Sequence, residues 1–330
     1  MRVAVIGAGS WGTTLADLLA RNGHEARLWV RERDLLSEIR NKGENTWYMP
    51  GVKLNENVRP YQETGKVMEG ADAYLLAVPS QFLRQILTDK REHFAKNPVV
   101  ICASKGIERG SLATMSQVVD EALSSLKPRF AMLSGPSFAF EVIRGLPTAV
   151  ALGCADKKLA PQLQAAFSND TFRVYTNPDV RGVELGGAIK NVIAIAAGVS
   201  DGLGFGSNAR AALITRGLAE MTRLAAAMGG KRETFMGLAG MGDLVLTCTG
   251  ELSRNRQVGL RLGKGQTLLD ILDEMKMVAE GVKTTEAVYE LGKRHNVELP
   301  ITETVHGVLN HDRDPKEAVA ALMARELKQE

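Results

Sequence analysis

Glycine carries the first chemical signal in this chain. Gly7, Gly9 and Gly12 stand in the spacing G-x-G-x-x-G, directly after the apolar run Val3-Ala4-Val5-Ile6 and before a helical pattern over residues 13–22. A turn of this kind lets backbone approach a pyrophosphate, while the first amides and the dipole of the following helix face its negative charge. The alternative is a tight strand-to-helix turn that binds nothing. Ser10 and Trp11 lie inside the same turn. A second strand ends at Val30 and is followed by Arg31-Glu32-Arg33. A carboxylate at that place holds a ribose 2′-hydroxyl, whereas an arginine accommodates a 2′-phosphate. If the strand persists, Arg31 and Arg33 share one side and Glu32 faces away. That arrangement favours NADP(H), with NAD(H) as the alternative; solvated surface arginines are the other reading.

The second signal is a lysine where lysines are rare. Residues 182–199 are apolar on every face except for Glu184, Lys190 and Asn191, so the helix they form is expected to be buried. The same-face neighbours of Lys190 are Gly186, Gly187, Ile193 and Ala194, and such small residues leave room for a ligand. Desolvation would lower the Lys190 pKa towards neutrality and suit it to general acid–base work. A lysine that snorkels to the surface is the competing reading. Further chemistry sits where strands end: Pro79-Ser80, Ser104-Lys105-Gly106 and Ser134-Gly135-Pro136-Ser137-Phe138. Lys105 puts a cation at the expected crevice, and Gly135-Pro136 makes a turn able to aim backbone donors at an oxyanion. Later, residues 237–243 read as a glycine-dense loop delivering the carboxylate of Asp243. Ser253-Arg254-Asn255-Arg256 combines arginine, suited to phosphate, with neutral hydrogen-bonding groups. A capped surface helix would have the same composition.

These side chains need a scaffold, and the first half of the chain supplies its pattern. Short apolar runs at residues 2–6, 26–30, 73–78, 99–103, 129–133 and 148–152 alternate with helical stretches such as 13–22, 80–94 and 111–126. That alternation predicts an α/β domain with a parallel, doubly wound sheet of Rossmann type. Residues 41–64, with Trp47, Tyr48, Pro50, Gly51 and Pro60, read as an irregular insertion. From about residue 180 the periodicity is helical. Ile214, Leu218, Met221, Ala225 and Met228 mark one helix face, Asp314-Pro315-Lys316-Glu317 a helix start, and Thr267 with Asp270 a second start. The expected organisation is a dinucleotide-binding domain over 1–180 and an all-α substrate and catalytic domain over 181–330.

Composition narrows the classes. The 330 residues are 45% hydrophobic and 24% charged, with a net charge of +3, which is an ordinary globular balance. Scattered basic residues and only 5% aromatics disfavour nucleic-acid binding. The three cysteines, Cys102, Cys154 and Cys248, are widely spaced, so buried reduced thiols in a cytoplasmic protein are expected and no metal site is. No stretch is read as a membrane span; the most apolar one, 188–199, is interrupted by Lys190 and Asn191.

Taken in order, several segments resemble the bacterial NAD(P)-dependent glycerol-3-phosphate dehydrogenase family nearly end to end. They are Gly7–Gly12, Ser104-Lys105-Gly106, Gly135-Pro136-Ser137-Phe138-Ala139 with Glu141, residues 185–195 around Lys190, residues 201–210, residues 240–249 around Asp243, and Ser253-Arg254-Asn255-Arg256. The resemblance implies reversible reduction of dihydroxyacetone phosphate to sn-glycerol 3-phosphate, a precursor of glycerophospholipids. It makes Lys190 the proton donor in reduction and the acceptor in oxidation. It places Lys105, Gly135, Ser137, Lys190, Asp243, Ser253, Arg254 and Asn255 around the substrate. It places Ser10, Trp11, Arg31, Lys105, Ala139, Arg254, Val278 and Glu280 beside the cofactor, together with the glycines of the turn. No metal is called for, and a homodimer is compatible. Two other readings stay open. A 3-hydroxyacid or 6-phosphogluconate type of dehydrogenase also joins a Rossmann domain to a helical one, but residues 135–139 and 253–256 disfavour it. A dinucleotide sensor without turnover would have no use for a desolvated lysine.

Overall fold

In the computed structural model, described over residues 1–275, 279–311 and 313–326, the six expected runs all become strands. They are β1 (Arg2–Ile6), β2 (Glu25–Trp29), β4 (Ala73–Leu76), β5 (Val99–Cys102), β6 (Arg129–Ser134) and β7 (Thr148–Gly153). Two more complete the sheet: β3 (Val58–Tyr61) and β8 (Phe172–Asn177). The order is β3-β2-β1-β4-β5-β6-β7-β8, so both unforeseen strands are edges. An edge strand needs one partner only and tolerates proline, which is why Pro60 could disguise β3 inside the supposed insertion. β8 alternates buried and exposed residues from Phe172 onwards and lacks the continuous apolar run of an interior strand. The sheet is parallel except between β6 and β7, which run antiparallel; β7 and β8 are parallel again.

Helices α1 (Ser10–Arg21), α2 (Arg33–Lys42), α3 (Thr64–Met68), α4 (Leu83–Asp89), α5 (Met115–Ala122), α6 (Ala139–Ile143) and α7 (Leu159–Phe167) lie between these strands. The helix expected over 80–94 is broken into α4 and two flanking 3-10 turns. β1 and β4 are neighbours, and the chain order reverses there. In a doubly wound sheet the crevice beyond the strand ends at such a point is where ligands bind.

Compact packing divides the chain into Met1–Lys105 with Ala113–Glu184, and Gly106–Leu112 with Leu185–Glu330. The division falls a few residues after the expected boundary, inside helix α8 (Val180–Gly202). The short segment from Gly106 counts with the helical unit because Ile107 is wholly buried in that unit's core.

The helical unit is built around α8. By length and composition alone this helix could cross a membrane, with a mean hydropathy of 1.4 in its most apolar window, but 94% of that window is buried inside the protein. Apolarity all round here serves a core. The helices that follow are α9 (Gly206–Ala227), α10 (Asp243–Thr249), α11 (Arg254–Gly263), α12 (Leu268–Glu274), α13 (Glu280–Arg294), α14 (Pro300–Asn310) and α15 (Pro315–Met323). On α9, Leu218, Met221 and Ala225 are buried as expected, with Leu224 beside them. Thr267 and Asp314 cap α12 and α15 with their side chains, as their spacing predicted.

Helices α8 and α11 meet backbone to backbone. A Cβ added at Gly198 would lie 2.0 Å from the Arg256 carbonyl oxygen, and one at Gly259 would lie 2.0 Å from that of Ile195. Gly202 and Gly263 repeat the contact one turn on, against the carbonyls of Leu260 and Val199 at 2.4 and 2.5 Å. Only glycine permits this approach, and it fixes where α11 begins relative to Lys190.

Candidate active site

The glycine turn has the geometry its spacing implied. Gly7 adopts φ +115°, and a Cβ there would stand 2.6 Å from the Ala77 carbonyl oxygen. A Cβ on Gly12 would collide with the Gly7 carbonyl oxygen at 1.9 Å. At Gly9 an added Cβ would meet nothing within 4 Å, so this residue faces open space. Gly9 is also the N-cap of α1, supplies no side-chain acceptor, and is followed by no acidic residue in the first turn. The start of this twelve-residue helix thus has an open N-cap position and no competing acid, which fits a diphosphate. Ser10 donates its hydroxyl to the Tyr48 carbonyl at 3.1 Å, and Trp11 packs half-buried against the sheet's core.

Arg31 departs from expectation. β2 stops at Trp29, Glu32 is the N-cap of α2, and Arg33 already belongs to that helix. The strand therefore does not persist, and its alternation cannot put Arg31 and Arg33 on one side. The Arg31 guanidinium is 78% exposed and pairs with Glu32 at 2.6 Å. Both chemistries that discriminate the ribose 2′ position thus stand side by side at one strand end.

Three further residues in the sheet unit come together. The Lys105 ammonium donates to the Gly135 carbonyl at 3.2 Å, and the Ser137 hydroxyl donates to the same oxygen at 3.0 Å. Gly135 holds φ +142°, and a Cβ there would lie 2.9 Å from the Cα of Val150. Ala139 opens α6 and accepts a long hydrogen bond, 3.4 Å, from Thr14 of α1.

In the helical unit Lys190 is buried, 6% exposed, against Asp243 at 1%. Its ammonium is ion-paired with the Asp243 carboxylate and donates to the Thr247 hydroxyl at 2.9 Å. That hydroxyl in turn donates to the Asp243 backbone carbonyl at 2.6 Å, which leaves its oxygen to accept from the lysine. Desolvation alone disfavours an ammonium; a carboxylate in contact favours it. The neighbouring Cys248 thiol shows how dry the place is: burial pushes its pKa up to about 12. The other thiols, Cys102 and Cys154, are buried too.

The supposed glycine loop before Asp243 is a π-helical turn (Leu238–Gly242) running directly into α10. Its backbone lies against α8: a Cβ at Gly186 would be 2.4 Å from the Ala239 carbonyl oxygen. The small residue beside Lys190 therefore admits the turn that carries Asp243 and leaves no room for a ligand at that point. Asn255 is likewise engaged, donating to the Asn191 side chain at 2.9 Å and accepting from the Gly281 amide at 2.9 Å. Ser253 caps α11 by accepting from the Arg256 amide at 3.3 Å, so a capped helix start is present, but Ser253 and Asn255 are buried and Arg256 is paired, unlike a solvated surface start. Arg254, the first residue of α11, is drawn electrostatically to Glu280, the first of α13. Asp201 is gripped by Arg210 and Arg256, each at 2.7 Å. Val278 lies outside the described residues. Thr247 was not singled out in the sequence, and Asn191 was noted only as a polar break in an apolar run; a helix starting at Asp243 would have placed Thr247 on the same face one turn later.

The fold and these clusters define a nicotinamide-dependent dehydrogenase class, with a Rossmann-type sheet unit and a helical unit carrying a buried lysine. Two family profiles make this specific: NAD-dependent glycerol-3-phosphate dehydrogenase N-terminus matches residues 2–160, and NAD-dependent glycerol-3-phosphate dehydrogenase C-terminus matches residues 179–320. The chain belongs to the NAD-dependent glycerol-3-phosphate dehydrogenase family. It is 64% identical over 330 residues to a glycerol-3-phosphate dehydrogenase (NAD(P)+) of Solidesulfovibrio magneticus, covering 100% of both chains. It is 61% identical, again over 100% of both, to one of Maridesulfovibrio salexigens. Among solved structures, glycerol-3-phosphate dehydrogenase from Coxiella burnetii is 43% identical, with a TM-score of 0.94 over 98% of each chain.

Proposed function

We propose that this chain reduces dihydroxyacetone phosphate reversibly to sn-glycerol 3-phosphate with NAD(P)H, supplying a backbone for glycerophospholipids. The observation that carries the chemistry is the buried Lys190–Asp243–Thr247 cluster. When bound, the reduced nicotinamide supplies the hydride that turns the ketone carbon into a secondary alcohol carbon. Lys190 supplies the matching proton to the ketone oxygen, and in the reverse direction it takes that proton back. Asp243 keeps the lysine charged before transfer and Thr247 aims it. The charge that develops on oxygen is stabilised by the same ammonium.

The remaining roles follow the chemistry of each group. Gly7, Gly9, Ser10, Trp11 and Gly12 hold the dinucleotide by its diphosphate, with Arg31, Ala139 and Glu280 also beside it. Arg254 suits the substrate phosphate through its planar fork, and Ser253, Asn255, Lys105, Gly135 and Ser137 complete the substrate's surroundings. Lys105 and Arg254 contact the cofactor as well. Arg31 inclines the enzyme to NADPH over NADH, because a 2′-phosphate outcompetes the weak surface pair with Glu32. The reading extends to a cytoplasmic enzyme and to a homodimer, for which exposed Phe205, Met236 and Leu252 offer apolar surface.

The test is a spectrophotometric assay of NADPH and NADH oxidation with dihydroxyacetone phosphate, in parallel with 3-hydroxyacid oxidation. Turnover restricted to the phosphoketone is expected. Turnover with the 3-hydroxyacids alone would overturn the substrate assignment.

A further inference from the structure

The stretch between α2 and β3, which reads as an irregular insertion, is fastened to the start of α1. Asp17 accepts from the Asn55 amide at 2.7 Å, Ser10 donates to the Tyr48 carbonyl at 3.1 Å, and Met49 is wholly buried. The centre of the attachment is Asn45, 0% exposed. Its side-chain nitrogen donates to the Ala8 carbonyl at 2.9 Å and to the Thr13 hydroxyl at 2.7 Å. Its side-chain oxygen accepts from the Tyr48 amide at 3.1 Å. The Thr13 hydroxyl also reaches the Ala8 carbonyl, at 3.3 Å.

We infer that Asn45 is a positioning residue for the dinucleotide: by holding the Ala8 carbonyl inward, it turns the Gly9 amide outward to the diphosphate. The step from observation to function is peptide geometry. A trans peptide is planar, with its C=O and N–H pointing in opposite directions. Ala8 C=O and Gly9 N–H belong to the same peptide. Two donors pin the carbonyl into the protein, so the amide points the opposite way, away from the Asn45 attachment, on a residue whose own side-chain position is open. The orientation is set in advance by a side chain more than thirty residues away in sequence, and a preorganised donor costs nothing to reorient when the ligand arrives. Glycine at position 9 gains access from its missing side chain and direction from Asn45.

This rests on the proposed binding of a nicotinamide dinucleotide, and the experiment separates the two. NADPH is titrated into full-length wild type, Asn45→Ala and Thr13→Val by fluorescence, and steady-state kinetics are measured on each. Wild type that fails to bind NADPH or NADH overturns the cofactor reading itself. With wild type binding, Asn45→Ala is expected to raise the NADPH Kd and KM about tenfold, the scale of one misdirected hydrogen bond to a charged group. The kcat and the KM for dihydroxyacetone phosphate are expected to stay within about twofold, since neither depends on that peptide. Thr13→Val, which removes one partner of Asn45 while keeping the shape, is expected to give a smaller shift of the same kind and answers the question if Asn45→Ala does not fold. A lowered melting temperature with an unchanged NADPH Kd would reduce Asn45 to a structural brace and overturn the inference.

Discussion

Lys190 brings a charge into the core of a mostly apolar helix, and Asp243 makes that tolerable. Removing either member of a buried pair strands the other. Lys190→Met deletes the proposed proton donor and leaves a carboxylate that can protonate. Turnover is expected to fall by at least about 10³-fold, within the range general acid–base catalysis supplies, while fluorescence titration finds NADPH affinity nearly unchanged. A variant with near-normal turnover would remove Lys190 from its role. The glycine turn offers a second contrast between neighbours. Gly12→Ala forces a Cβ against the Gly7 carbonyl and is expected to lower the melting temperature. Gly9→Ala meets nothing at an ordinary φ of −70°. Its melting temperature should match wild type while NADPH binding weakens about tenfold or more, because the new methyl occupies ligand space. Chemistry at this scale was legible where one residue type is improbable without a reason, as with lysine in an apolar helix or glycine at fixed spacing. It was not legible where a residue acts through geometry. Thr247, Asn191 and Asn45 are unremarkable in composition, and only the fold shows that each meets a critical neighbour.

At the scale of elements, interior strands were legible because burial on both faces demands continuous apolar runs, as β1 and β4 show. The edges were not, because β3 and β8 answer to one neighbour only and can carry Pro60, Arg59 or Arg173. Antiparallel β7 was equally hidden, since its sequence says nothing of direction. The strand β2 was expected to end at Val30, and the condition that it persist to Arg33 was not met because a helix start occupies those residues. Glycine was read with similar partial success. In the turn its backbone geometry was visible from spacing, whereas Gly198, Gly202, Gly259 and Gly263 gave no hint that they face one another across two helices. Their contact carries a prediction. Gly198→Ala places a methyl against the Arg256 carbonyl with no side chain available to yield, so α11 must shift. A loss of about 1–3 kcal/mol is expected from such overpacking, read as a lower urea midpoint. Because α11 begins with Arg254 and Asn255, the same shift should raise the KM for dihydroxyacetone phosphate. An unchanged midpoint would show that the helices can separate at little cost.

Over the whole molecule, two buried carboxylates give stability an unusual dependence on pH. Glu184 accepts from the Ser116 amide and hydroxyl at 2.6 and 2.7 Å at the start of α5. Glu220 accepts from the Ile301 and Thr302 amides at 2.6 and 3.2 Å at the start of α14. Burial pushes each carboxyl up from 4.5 to about 7, against the opposing pull of those donors and of Arg181 or Arg223. In the unfolded chain both ionise near 4.5, so between there and about 7 the folded state holds protons the unfolded state has released. Their contribution to stability is therefore complete below the unfolded value and is lost as pH rises through the folded one. This is opposite to the effect of ion-paired carboxylates, such as Asp156 beside Arg129, whose depressed pKa contributes stability that is lost towards acid. Comparing wild type with Glu220→Gln and Glu184→Gln isolates the effect from the other titrating groups. Urea midpoints measured from pH 5 to pH 8 should show wild type losing stability relative to each variant as pH rises, with the difference levelling off just above neutrality. The change should amount to a few kcal/mol at most for each site, since one pKa unit corresponds to about 1.4 kcal/mol. Parallel curves across that range would mean that helix-start donors hold both carboxylates ionised throughout, and that the caps work as charges rather than as neutral acids.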